Sequence, residues 1–181
     1  MSAKSVKKVF LPVLWVAGFL VAFTAAIVFY LFYYAQMSPE EYFKKGLEQR
    51  SVNRPIPAAA YFEKAAQRGY RPAQYQLALM YDRGEGVPEN KQKALFWAIQ
   101  SAKQADPESL FTVAVFLERG YSGKEDFPMA LSFYELSAMA GNPKAMASLI
   151  SIYQGGAEDL PPDVQKAAYW RQKLNELKGK K

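Results

Sequence analysis

The sequence predicts an all-α protein: one membrane-spanning helix near the N-terminus, then a solenoid of four antiparallel helix pairs. Three observations carry this. Residues 9–34 run for 26 positions without a charge. Through the rest of the chain, alanines and large aromatics recur at intervals of 36 or 37 residues. Apolar residues there fall at i, i+3, i+4 and i+7, and no stretch alternates as a half-buried strand does.

The first element is the apolar run VFLPVLWVAGFLVAFTAAIVFYLFYY, with 15 of its 26 residues Val, Leu, Ile or Phe. As a helix it would rise about 39 Å, enough for a hydrocarbon core of about 30 Å. A signal peptide is the competing reading, since Lys4, Lys7 and Lys8 form a basic start. The run is too long for one and ends in Tyr33-Tyr34-Ala35, without a small-x-small cleavage site. The expected layout is a basic tail over 1–8, a spanning helix over 9–35, a repeat domain over 36–177 and a basic tail over 178–181. Three lysines and no acid precede the span, and Ser38-Pro39-Glu40-Glu41 follow it. The positive-inside rule then expects a cytoplasmic N-terminus and a repeat domain across the membrane, in the periplasm of a bacterial inner membrane. Trp15 and Tyr30, Tyr33 and Tyr34 suit interfacial belts. Gly18, Ala22, Ala25 and Ala26 place small residues on one helical face, where another helix could approach closely. Gly and Ala are also common in spanning helices without such a partner.

Composition removes several functions. The 181 residues include neither cysteine nor histidine, so disulfides, zinc sites and serine–histidine or cysteine–histidine catalysis are closed to this chain alone. The net charge is +6 overall; residues 1–35 hold three lysines and no acid, leaving +3 for the remainder. That is too mild to argue for nucleic acid. Lys173, Lys178, Lys180 and Lys181 read as a solvated charged end.

The repeat domain declares itself by period. Ala58, Ala94, Ala130 and Ala167 are each followed three positions later by Tyr61, Trp97, Phe133 and Trp170. Ala66, Ala102 and Ala138 follow at plus eight. Between them, Tyr75-Gln76-Leu77-Ala78 to Tyr81 is echoed by Phe111-Thr112-Val113-Ala114 to Leu117, and more weakly by Ala147-Ser148-Leu149-Ile150 to Tyr153. Gly84, Gly120 and Gly156 close the copies. Repeats are expected over about 39–69, 70–105, 106–141 and 142–177.

Within these repeats the helices follow in order. The first starts at Ser38-Pro39-Glu40-Glu41, a cap, an N1 proline and a capping-box glutamate, and covers 39–50. Its partner covers 57–68 and stops at Gly69. The next pair covers 72–83, stopped by Gly84, and 90–104. Asp106-Pro107-Glu108 opens 107–119, stopped by Gly120, and its partner covers 127–140 up to Gly141. Asn142-Pro143 opens 143–154, which pairs with 162–177. An alanine with an aromatic one turn later lets two backbones approach while the ring fills the space between successive pairs. No pair buries its apolar surface alone, so the pairs must stack.

The segment AAAYFEKAAQRGYRPAQYQLALMYDRGEGVPENKQKALFWAIQSAK resembles the Sel-one-like repeat (SLR) family, a relative of the tetratricopeptide repeat with a longer loop. Ala65, Ala66, Gly69, Ala73, Leu77, Ala78 and Tyr81, then Gly84-Glu85-Gly86-Val87, Lys93-Ala94 and Trp97, fill its pattern in order. The likeness extends over roughly 57–175. Departures are alanine at 78 and 114 and isoleucine at 150 where the family has glycine, and altered turns at Gly120-Tyr121-Ser122-Gly123 and Gly155-Gly156-Ala157. The resemblance implies a right-handed solenoid serving as a protein-interaction scaffold, often bacterial and envelope-associated, with no reaction of its own.

In such repeats the first helix of each pair lines the concave face. Transferred residue by residue, that implies a groove of Phe43, Leu47 and Arg50, then Tyr75, Leu79 and Asp82, then Phe111, Val115 and Glu118, ending at Ala147, Ser151 and Gln154. Aromatics and aliphatics there would mark a site for a helix or extended peptide, unless tight curvature buries them within the domain. Chemical motifs are scarce. Gly84-Glu85-Gly86-Val87-Pro88 follows no strand and precedes no Gly-Lys-Ser/Thr, so it reads as a turn, not a phosphate loop. The loop acids Glu125-Asp126 and Glu158-Asp159 read as helix-start charge more readily than as calcium ligands. Trp97 and Trp170 belong to the packing stripe. No enzyme, cofactor or metal is expected. The expected role is a non-enzymatic, membrane-anchored scaffold subunit docking on integral membrane proteins of an envelope complex, with lipid contact through the anchor. A cell-wall or polysaccharide-binding module and a transient assembly chaperone are the alternatives.

Overall fold

The computed structural model describes residues 20–30, 32, 37–157 and 160–179. The chain divides into two units, Met1–Ser38 and Pro39–Lys181. In the first unit, residues 20–30 and 32 are helical. Leu20, Val21, Phe23, Val28, Phe29 and Phe32 are each more than half exposed there, and Ala22, Ala25 and Ala26 are exposed on the same helix. Residues 20–30 rise only about 16 Å, and among the described residues no helix is long and apolar enough to cross a membrane. The span expected over 9–35 is therefore not shown by these residues. Gly18, Trp15, Tyr33, Tyr34, the tail over 1–8 and the acids at 158–159 lie outside the described residues.

The second unit is built from eight helices among its described residues: α1 (Pro39–Ser51), α2 (Pro55–Gln67), α3 (Arg71–Arg83), α4 (Lys91–Ala102), α5 (Pro107–Glu118), α6 (Phe127–Met139), α7 (Pro143–Gly155) and α8 (Val164–Lys178). They pack as α1 on α2, α3 on α4, α5 on α6 and α7 on α8, with each second helix also against the next pair's first helix. This is an all-α repeat solenoid. Helix α2 begins at Pro55, ahead of the expected 57, because a proline tolerated at N1 lets the chain enter the helix there.

Helix ends are closed by residues at matching positions of the repeat. Asn90, Asp106, Asp126, Asn142 and Asp163 each accept a backbone N–H from their own first turn. At the other ends, Gly84 and Gly120 take left-handed φ values of 68° and 74°. This lets Glu85 N donate to Met80 O at 3.0 Å and Tyr121 N to Phe116 O at 2.9 Å, a 6→1 closure that satisfies an otherwise orphaned carbonyl. The N-cap residue of each following helix then reaches back. Asn90 N donates to Tyr81 O (2.9 Å), Asp126 N to Leu117 O (3.2 Å) and Asp163 N to Tyr153 O (2.7 Å). The three acceptors are 36 residues apart, so one equivalent backbone bond ties the turn in each of the last three pairs.

The core is the alanine ladder. Ala58, Ala94 and Ala130 are fully buried and Ala167 nearly so. Large side chains fill the spaces between, with Phe62, Leu77, Met80, Val113, Leu149 and Tyr153 at 2% exposure or less. Successive pairs are also joined by polar contacts at the starts of the first helices. Arg71 pairs with Asp106, and Ser101 Oγ lies 2.7 Å from Ser109 Oγ. One repeat on, Ser137 Oγ donates to Pro107 O at 2.6 Å and Asn142 Nδ2 to Glu108 Oε2 at 3.0 Å. Hydroxyls that are buried and bonded on both sides cost little, whereas unpaired they would destabilise the junction.

Candidate partner-binding face

The first helices α1, α3, α5 and α7 carry the positions expected to line a groove, and the structure sorts them into three rows. The row nearest the helix starts is Phe43, Tyr75 and Phe111, all half-buried. Phe43 packs between Phe62 and Tyr70, with ring centroids 5.4 and 5.3 Å away. Phe111 rests on Tyr134 at 5.7 Å, and the Lys144 ammonium stands 5.9 Å from the Phe111 centroid. Burial pushes the Tyr75 hydroxyl above the usual tyrosine range.

The middle row, Leu47, Leu79 and Val115, is aliphatic and presents partial exposure, Leu47 most. The third row is charged and already engaged within the domain. Arg50 donates to Gln76 Oε1 at 2.5 Å. Asp82 accepts the Tyr121 hydroxyl and Glu118 the Tyr134 hydroxyl, both at 2.6 Å. In the fourth copy Ala147, Ser151 and Gln154 are exposed and small or polar. The apolar face therefore spans three repeats and stops at α7.

Two tyrosines that support this face, and a third that makes the same contact with α6, were not picked out by the sequence pattern. Tyr121 stacks on Phe116 at 4.6 Å and buttresses Asp82 from the turn that departs from the repeat motif. Tyr153 donates to Glu135 at 2.6 Å, as Tyr134 does to Glu118. Burial, reinforced by the adjacent carboxylates, pushes the Tyr121, Tyr134 and Tyr153 hydroxyls above the usual tyrosine range. They remain donors, and each holds a carboxylate in place. The available signal was a tyrosine without its own helix-spaced acid, which spacing alone cannot pair.

Among the described residues, no group of three or more carboxylates could hold a metal ion. Trp97 is half-buried and Trp170 buried; each meets its preceding aromatic edge-on, Phe96 at 5.1 Å and Tyr169 at 5.0 Å.

The profile of the Sel1 repeat, the Sel-one-like repeat of the sequence resemblance, matches residues 31–70, 71–106, 107–142 and 144–177. The chain belongs to the Sel1 repeat family. Two of these matched segments begin at the first residue of α3 and of α5. Proteins of the Sel1 repeat family generally mediate protein–protein interaction on a scaffold fold that is generally non-enzymatic. The uncharacterized protein NMB1327 of Neisseria meningitidis serogroup B is 29% identical over 143 residues, 76% of this chain and 29% of the relative. Among solved structures, c5321, a protective antigen present in uropathogenic Escherichia coli strains, has an SLR fold with a TM-score of 0.72 and 29% identity. The match covers 78% of this chain and 31% of that one. A Sel1 repeat protein from Oxalobacter formigenes shares the fold with a TM-score of 0.71 at 23% identity, covering 76% of this chain and 58% of that one. The chain thus spans less than a third of the length of the first two relatives.

Proposed function

We propose that this Sel1 repeat protein is a non-enzymatic, membrane-anchored interaction subunit. Residues 9–35 span a bacterial inner membrane with the N-terminus in the cytoplasm, and the repeat domain stands in the periplasm. There the Leu47, Leu79 and Val115 row takes a helix or extended segment of an integral membrane partner in an envelope complex. The observation that carries this reading is the row itself. Three partly exposed aliphatics, flanked by half-buried rings and backed by carboxylates fixed in internal hydrogen bonds, present a preorganised apolar strip. Tethering adds to affinity, because an anchor beside a membrane partner raises the effective concentration of the strip.

Two experiments test the two halves separately. Photo-crosslinkers at Tyr75, Leu79 and Phe111 in native membranes are expected to capture one polypeptide from all three positions, in fixed ratio through mild-detergent purification. Empty crosslinks at all three would remove the strip as a binding site, and a partner lost from the mature complex would make the chain an assembly chaperone. Retention of cell-wall polysaccharide by the protein with no polypeptide captured would favour the polysaccharide-binding role. Alkaline phosphatase fused after Lys181 is expected to be active. An inactive fusion, beside an active cytoplasmic reporter at the same position, would reverse the orientation.

A further inference from the structure

The second helices α2, α4, α6 and α8 present their solvent faces at equivalent positions, which gives each an internal control. At one such position α4 and α8 carry Lys93 and Lys166, and α6 carries Met129. At the next, α2, α4 and α8 carry Lys64, Gln100 and Lys173, and α6 carries Leu136. At the third they carry Gln67, Lys103 and Glu176, and α6 carries Met139. Met129, Leu136 and Met139 are 48%, 49% and 75% exposed. The only charge on α6, Glu135, is taken by the Tyr153 hydroxyl. At these positions α4 and α8 are polar three times and α2, with Pro57 at the first, twice, whereas α6 is apolar at all three without burying them.

The patch continues into a concavity of about 350 Å³ lined by Met139, Met146, Tyr169, Trp170 and Lys173 among others. Tyr169 is half exposed above it, with the Lys173 ammonium 5.8 Å from its ring centroid. Helix α8, which supplies that wall, carries Lys166, Arg171, Lys173 and Lys178 against a single acid, Glu176. Methionines lining an open apolar surface adapt to varied side chains, and a basic margin selects an acidic complement. A second copy of this chain would set α8 lysines against α8 lysines, and the chain's own tail over 1–8 is basic as well.

From this geometry we propose that the α6–α8 face is a second docking surface, for an amphipathic helix of another protein with an apolar face and acidic flanks, one bulky apolar side chain of which enters the concavity. The proposal rests on the reading of the domain as a protein-interaction module, and on neither the anchor nor the Leu79 row. It leaves the two faces free to hold different partners, as a scaffold bridging two proteins requires.

The chain has no cysteine, so Ala140→Cys at the end of α6 gives a unique site for an environment-sensitive fluorophore. The full chain in phosphatidylcholine nanodiscs is titrated with a synthetic helix bearing leucine and tryptophan at i, i+3, i+4 and i+7 and glutamate elsewhere. Saturable binding is expected. A peptide with lysine for glutamate should bind roughly tenfold more weakly, and Met139→Gln with Leu136→Gln should weaken the acidic peptide by roughly tenfold or more without changing the charge of the face, whereas Leu79→Ala leaves it unchanged. Glutamines stand at the same positions in other repeats, Gln67 and Gln100, so the variant keeps its fold, which circular dichroism checks. No binding, indifference to peptide charge, or sensitivity to Leu79→Ala instead of Met139→Gln would overturn the proposal while leaving the interaction reading to its own crosslinking test. A signal that saturates in phosphatidylglycerol nanodiscs without peptide would assign the face to anionic membrane and overturn it likewise.

Discussion

Replacing Phe62 by alanine is expected to destabilise the repeat domain by about 4 kcal/mol, the middle of the range for an aromatic truncated in a core. Phe62 is fully buried, and three features of α1 depend on it. Its ring lies 5.4 Å from Phe43 and 5.8 Å from the Arg50 guanidinium. It also fills the place that Gly46 vacates, where an added Cβ would come within 2.5 Å of the ring. Glycine inside a helix costs up to about 1 kcal/mol relative to alanine, and here that cost is offset by admitting the larger ring. Removing the ring leaves Gly46, which has no side chain, facing a cavity.

A solenoid distributes such a loss unevenly, because each repeat leans only on its neighbours. Phe62→Ala should therefore lower the melting midpoint by about 10–15 °C, with α1 and α2 leaving first. Hydrogen exchange is the deciding measurement. Amides over 39–67 should lose protection while those of α5 and α7 keep theirs. Uniform loss along all eight helices would show that the domain unfolds as one cooperative block. With a further crosslinker placed at Phe43, the same variant should abolish capture from that position and leave capture from Phe111, since only the first third of the apolar strip stands on Phe62.

Helix positions and the alanine ladder were legible because the physics that sets them is local or periodic. A proline at N1, a glycine at positive φ and a small residue at every point of closest approach are each required at one place in the chain. Ala58, Ala94 and Ala130 are fully buried for that reason. The strip on α1, α3 and α5 came from the resemblance, which implies that first helices line the concave face; helix spacing adds only that i and i+4 positions share one side. The strip's internal satisfaction was not legible. Asp82 is bound by Tyr121 from a turn 39 residues on, and only the folded path of that turn brings the two together. The α6 face was hidden for a different reason: following what recurs draws attention away from the copy in which polar residues give way to Met129, Leu136 and Met139.

Gly86→Ala is the second substitution expected to be severe, at about 3 kcal/mol, and the reason is a collision between repeats. Gly86 lies in the turn after α3 with φ of +73°, and a Cβ there would stand 2.2 Å from Pro55 O and 2.9 Å from Ile56 N. Both atoms belong to the first turn of α2, whose backbone is held by its own helix and cannot swing aside as a side chain could. The left-handed φ alone would cost alanine about 1–2 kcal/mol; the overlap adds to it by forcing the turn away from α2. Gly141 separates the two contributions, because its φ is +92° yet nothing lies within 4 Å of its Cβ position. Gly141→Ala should therefore lose only about 1 kcal/mol. Asparagine tolerates a left-handed φ better than alanine and brings the same Cβ. Gly86→Asn should accordingly melt nearly as low as Gly86→Ala, by thermal denaturation of all three variants side by side. If asparagine restores the wild-type midpoint, φ is what glycine supplies at position 86, and the contact with Pro55 yields at little cost.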